Sequence, residues 1–132
     1  MGSIRKHVQV GAPPDAVWDA VRDFGAVHDR LVRGFVTQAV MDGPDRIVTF
    51  GNGMVQREPL VAIDEERRRL VYTAIDSLLG ATHYSAAVEV EPGDAGGSQI
   101  TWTIDFLPDS IAGMLDDAMN RGTEAMRATL VG

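Results

Sequence analysis

Two periodicities dominate the second half of the chain. Tyr84, Ala86, Val88 and Val90 alternate with His83, Ser85, Ala87, Glu89 and Glu91, and Ile100, Trp102, Ile104 and Phe106 alternate with Gln99, Thr101, Thr103 and Asp105. A period of two with apolar residues on one side predicts strands of a sheet that is dry on one face and wet on the other. The period then changes. Ile111, Leu115, Ala118, Met119, Gly122, Met126 and Leu130 fall on one stripe of a 3.6-residue repeat, with Asp116, Asp117, Asn120, Arg121, Glu124 and Arg127 mostly opposite. Pro108-Asp109-Ser110 opens this helix, which runs to about Leu130. At 1.5 Å per residue it spans roughly 30 Å, enough to cross a small sheet and cover its dry face.

The first half supplies the remaining elements. Ile4 to Val10 alternates and predicts a strand. Pro13-Pro14-Asp15 starts a helix, because proline is tolerated in the first turn and Asp15 favours the positive helix end; Val17, Trp18 and Val21 form its apolar stripe. Phe24-Gly25 stops it, and a second short helix is expected over 26–31. From Gly34 onward the punctuation is that of a meander, with strands at about 35–41, 46–50, 54–63, 70–75, 82–91 and 99–106. Asp42-Gly43-Pro44-Asp45, Asn52-Gly53, Asp64 to Arg67, Asp76 to Ala81 and Pro92 to Gly97 are turn compositions between them. The last has no following Lys-Ser/Thr and opens no helix, so it reads as a hairpin turn and not as a phosphate loop. The expected fold is α+β: one domain over 1–132, with a curved seven-stranded antiparallel sheet, two short helices after the first strand and a long C-terminal helix over the concave face.

Composition narrows the function classes. A formal charge of −7 argues against nucleic acid, which is held by clustered Lys and Arg. The single basic run, Arg67-Arg68-Arg69, follows Asp64-Glu65-Glu66 and reads as a solvated turn. There is no cysteine, hence no disulfide framework or thiol chemistry. The N-terminus lacks the apolar stretch of a signal peptide and nothing later predicts a membrane span, so a cytoplasmic protein is expected. His7, His28 and His83 have no metal-ligand spacing, and Ser77, Ser85, Ser98 and Ser110 lack a nucleophile motif; neither metal nor cofactor is expected. Outer faces rich in Thr, Gln, Glu and Asp look solvated, as in a monomer or weak dimer.

The order of elements and four sequence stretches carry a resemblance. The stretches are Ala12-Pro13-Pro14-Asp15-Ala16-Val17-Trp18; Asp23-Phe24-Gly25; Gln56-Arg57-Glu58-Pro59-Leu60 with Asp64 and Leu70-Val71-Tyr72 beyond; and Thr101-Trp102-Thr103-Ile104-Asp105-Phe106. Together they resemble the helix-grip fold of the SRPBCC superfamily, which includes START lipid-transfer domains, birch-pollen-allergen-like proteins and bacterial polyketide cyclase/dehydratase relatives. The resemblance implies a cavity between sheet and helix. A dry, empty pocket of about 300 Å³ would cost roughly 7 kcal/mol at about 24 cal/mol per Å³. That rivals a whole domain's stability of roughly 5–15 kcal/mol. Such a cavity is therefore wet, occupied or partly filled by adaptable side chains such as Met114, Met119 and Met126.

Trp102, Tyr84 and Tyr72 are the expected pocket aromatics, joined by Phe106, Leu115, Met119 and Met126; plain core packing is the competing role for each. Glu58 is the acid of interest. In one strand phase it points with Met54, Leu60 and Ala62; in the other, Arg57 points with Val55, Val61 and Ile63, and periodicity does not choose. An inward Glu58 is a candidate general base, with Tyr84 or Arg57 as donor to an enolate oxygen; an outward one is a surface carboxylate. Two functions follow: binding of a hydrophobic small molecule (lipid, isoprenoid or polyketide-like), or cofactor-free cyclisation or dehydration of a poly-β-keto chain.

Overall fold

The computed structural model describes residues 1–75 and 79–131. Strand β1 (Gly2–Val10) leads into helix α1 (Pro14–Arg22) and, after one turn of 3₁₀ helix, the short α2 (Val27–Arg30). The meander follows as β2 (Val36–Asp42), β3 (Asp45–Phe50), β4 (Val55–Asp64), β5 (Arg69–Thr73), β6 (His83–Pro92) and β7 (Ser98–Leu107), and α3 (Ala112–Thr129) closes the fold. The expected turn from Asp76 to Ala81 lies partly outside the described residues, as does Ser77.

The seven strands form one antiparallel sheet in the order β1-β7-β6-β5-β4-β3-β2. Successive meander strands are neighbours because short turns permit nothing else. β1 pairs with β7 from Gly2 opposite Phe106 to Val10 opposite Ser98. β4 changes partner midway: Val55 to Pro59 pair with β3, and Leu60 to Asp64 pair with β5. Pro59 sits at that handover, next to a register shift between Leu60 and Ala62, where its missing N–H breaks no ladder.

The alternation in β6 and β7 holds on the dry face, where Ala86, Val88, Ile100, Trp102, Ile104 and Phe106 are buried. Thr101, expected on the wet face, is buried as well, and His7 of β1 shares a 3.1 Å hydrogen bond with its hydroxyl. In α3 the predicted stripe is the buried one. Asp116 is half-exposed, and its carboxylate accepts a 2.6 Å hydrogen bond from Lys6 that ties the helix to the edge strand. The basic run is dispersed over a turn, with Arg67 on Asp64, Arg68 on Asp15 and Arg69 near Glu89. Among the described residues no helix is long and apolar enough to cross a membrane, and no cluster of His, Asp or Glu is placed to hold a metal ion.

At Gly122 α3 lies directly against the Trp102 ring. A Cβ there would lie 2.7 Å from the Trp102 ring and 3.4 Å from Phe35, whereas one on Gly113, in the first turn of the same helix, would meet nothing within 4 Å. Gly122→Val should therefore lower the stability read from urea unfolding by about 1–3 kcal/mol. Gly113→Ala should leave it unchanged or raise it by up to about 1 kcal/mol.

Candidate functional site: a cavity between sheet and helix

Between the concave face and α3 lies a cavity of about 570 Å³. Val48, Leu70, Val88 and Ile104 of the sheet form its floor, and Leu115, Met119 and Met126 of α3 its roof. Val21, Val27 and Leu31, from the two short helices and their exit, close one side. Ala118 and Ala125 present little side chain, which leaves the space open. Gly51, Asn52, Met54 and Arg121 also line it and are exposed, so the cavity opens there.

Trp102, Tyr72, Tyr84, Leu115, Met119 and Met126 all contribute to the wall. Phe106 does not. It shares their face but stands at the end of β7 opposite Gly2, whose missing side chain makes room for the ring: a Cβ there would be 2.3 Å from it. Phe106 is a core residue, because alternation gives the face of a strand and not the position along it. Met114, the third methionine of the helix named for the pocket, is exposed and does not line it.

The polar part of the wall is a buried cluster on β3 and β4. Arg46 and Glu58 are directly opposite one another in the ladder, as are Val48 and Gln56, so the three polar side chains share one patch of the concave face. Arg46 is 6%, Gln56 7% and Glu58 4% exposed. Arg46 Nε donates to Glu58 Oε1 at 2.7 Å, and Gln56 Nε2 donates to Glu58 Oε2 at 2.7 Å. Arg46 Nη1 also donates to the Phe24 carbonyl at 3.3 Å. The guanidinium carbon is 4.0 Å from the centre of the Phe24 ring and 4.7 Å from that of Tyr72, so it sits in the corner of two aromatic faces.

This resolves the phase of β4: Glu58 points inward and Arg57 outward, where Arg57 holds Asp42 and Asp45. Arg57 therefore does not face the cavity as an enolate donor. Both Glu58 oxygens already accept hydrogen bonds, unlike those of a carboxylate waiting for a substrate proton. Arg46 and Gln56 were not singled out in the sequence, although the alternation of Arg46 with Val48 and Phe50 carried the signal.

Tyr72 and Tyr84 extend the polar patch. Burial pushes the Tyr72 hydroxyl well above the ordinary phenol range; the Glu58 charge adds to this, and Arg46, Trp102 and Tyr84 offset part of it. Tyr84 is raised by burial first, then by Tyr72 and Glu58. Its ring is only half-buried because part of it faces the cavity. The Trp102 indole N–H approaches the Tyr72 hydroxyl without closing a hydrogen bond, and its nitrogen is buried without a partner.

A curved antiparallel sheet closed by a long helix over such a cavity defines a helix-grip domain of the birch-pollen-allergen-like class. The sequence matches the family described as polyketide cyclase / dehydrase and lipid transport over residues 1–131, and the chain belongs to that family, within the SRPBCC superfamily. A solution structure from Thermobifida fusca is 32% identical, with a TM-score of 0.79, over 97% of this chain and 89% of that one. A major latex-like protein from Panax ginseng is similar at a TM-score of 0.77 and 19% identity, over 99% and 98% of the two chains. A Streptomyces aromatase/cyclase is similar at a TM-score of 0.71 and 19% identity, over 98% and 90%. A comparison with curated proteins gives no match. The family supports a ligand-binding or cyclase role.

Tyr72 and Tyr84 are the only tyrosines in the chain. Both bind their protons more tightly folded than unfolded, so their contribution to stability is intact below about pH 10, the unfolded value, and falls as pH rises beyond it. An absorbance titration at 295 nm should show no tyrosinate until well above pH 10, then a joint rise that coincides with loss of the far-UV circular dichroism.

Proposed function

We propose that this protein binds a hydrophobic small molecule, of lipid, isoprenoid or polyketide-like character, in the cavity between sheet and α3. The observation that carries the reading is the cavity itself: about 570 Å³, mostly apolar in its wall, with its buried polar side chains gathered in one patch. That volume lies within the range of small-molecule sites, roughly 300–1,000 Å³. Left dry and empty, it would cost on the order of 14 kcal/mol at about 24 cal/mol per Å³, which a domain of this size does not have to spare. Water or a ligand must occupy it, and an apolar wall favours the ligand.

The cyclase reading is weaker on one specific point. A general base needs a free oxygen lone pair aimed at the substrate, and Glu58 directs both oxygens into hydrogen bonds with Arg46 and Gln56. The side chains left for chemistry are donors, Arg46 and Tyr84, which can hold and polarise a carbonyl but remove no proton at neutral pH.

Filling the cavity tests the proposal. Ala118→Phe projects a ring from α3 into the space, and should abolish uptake of a neutral dye such as Nile red while keeping or raising the melting temperature. In native mass spectrometry of freshly purified protein, any co-purified small molecule should be absent from this variant. Undiminished dye binding by a folded Ala118→Phe variant would count against the site.

A further inference from the structure

We infer that the cavity selects an uncharged ligand that presents a neutral acceptor oxygen, a ketone or phenol, to Arg46, and that Glu58 sets this selectivity by neutralising the guanidinium. The inference rests on the binding reading and adds the chemistry of the ligand's polar end. Arg46 and Glu58 are the two buried charges in the cavity wall; Arg121 also lines it but is exposed, so its charge is screened by solvent. The pair sums to zero. A carboxylate entering the cavity would give up its hydration and meet a guanidinium already matched by Glu58, with the Glu58 charge alongside. The chain's net charge of −7 opposes its approach as well.

A neutral oxygen faces none of these costs. Of the five guanidinium N–H groups, Glu58 and the Phe24 carbonyl engage two. The remaining edge belongs to a side chain that lines the cavity, and the Phe24–Tyr72 corner holds it in place before any ligand arrives. A rigid donor gives up little freedom on binding, so one hydrogen bond to a ketone contributes nearly in full. Gln56 has a different part: its amide occupies the second Glu58 oxygen, which keeps the carboxylate turned toward Arg46.

Three naphthalenes of similar size separate the possibilities in Nile red displacement at pH 7.5: 2-acetylnaphthalene, 2-naphthoate and 2-ethylnaphthalene. The ketone should bind about tenfold more tightly than either of the others, the effect of one hydrogen bond to a charged donor. In Glu58→Gln the guanidinium loses its counter-ion, and naphthoate should gain at least roughly tenfold relative to the ketone. In the double variant Arg46→Met/Glu58→Gln, which leaves no unpaired charge if the single variant fails to fold, the ketone should lose its advantage over 2-ethylnaphthalene. Naphthoate binding the wild type as tightly as the ketone overturns the inference, as does a ketone preference that survives in the double variant. Equal binding of all three leaves the cavity reading standing and removes this one; no binding of any, Nile red included, removes both.

Discussion

One helix has to cover seven strands. An α-helix with its side chains is about 10–12 Å across, whereas seven strands at about 4.8 Å spacing span roughly 30 Å. No straight helix can fill that width, so the sheet curls toward α3 and the two short helices after β1 plug part of the remaining gap. What they leave is the cavity. It is thus a consequence of the element count before it is a feature of any side chain, and residues such as Ala118 and Ala125 keep open a space that the geometry has already made.

Much of this was legible in the sequence because it rests on periodicity. The dry faces of β6 and β7, the stripe of α3 and the placing of Trp102, Tyr72 and Tyr84 all follow from one residue's relation to its near neighbours. The polar centre was harder to read for a physical reason. The register shift between Leu60 and Ala62 changes the phase of β4 partway along, so a single alternation cannot be fitted across it and Glu58 could have faced either way. Arg46 and Gln56 were hidden by a different effect: charged and amide side chains read as solvated unless their partner is known, and the partner lies on the adjacent strand. The place of Phe106 along β7 was not legible, because it depends on what packs at the end of the strand.

A buried ion pair is weak evidence of stability. Removing two charges from water costs several kcal/mol each, and the attraction between them returns that only with good geometry and further hydrogen bonds. Gln56, the Phe24 carbonyl and the two aromatic faces supply those here. Replacing a buried ion pair by well-packed apolar side chains of similar volume is often neutral or stabilising. A polar arrangement this complete, set in the cavity wall, agrees with the binding role proposed for the cavity.

The close approach of Gly122 to Trp102 bears on how such a protein can change its ligand. The indole rests against bare helix backbone on one side and borders the cavity on the other. The Trp102 part of the cavity wall is therefore positioned by an absent side chain on a residue outside that wall. A side chain added at residue 122 would meet the indole at 2.7 Å and force a shift, so the cavity wall can be altered from a position that does not line it. Size and polarity of the chamber are then separately heritable, the first adjustable from α3 and the second from the β3–β4 ladder.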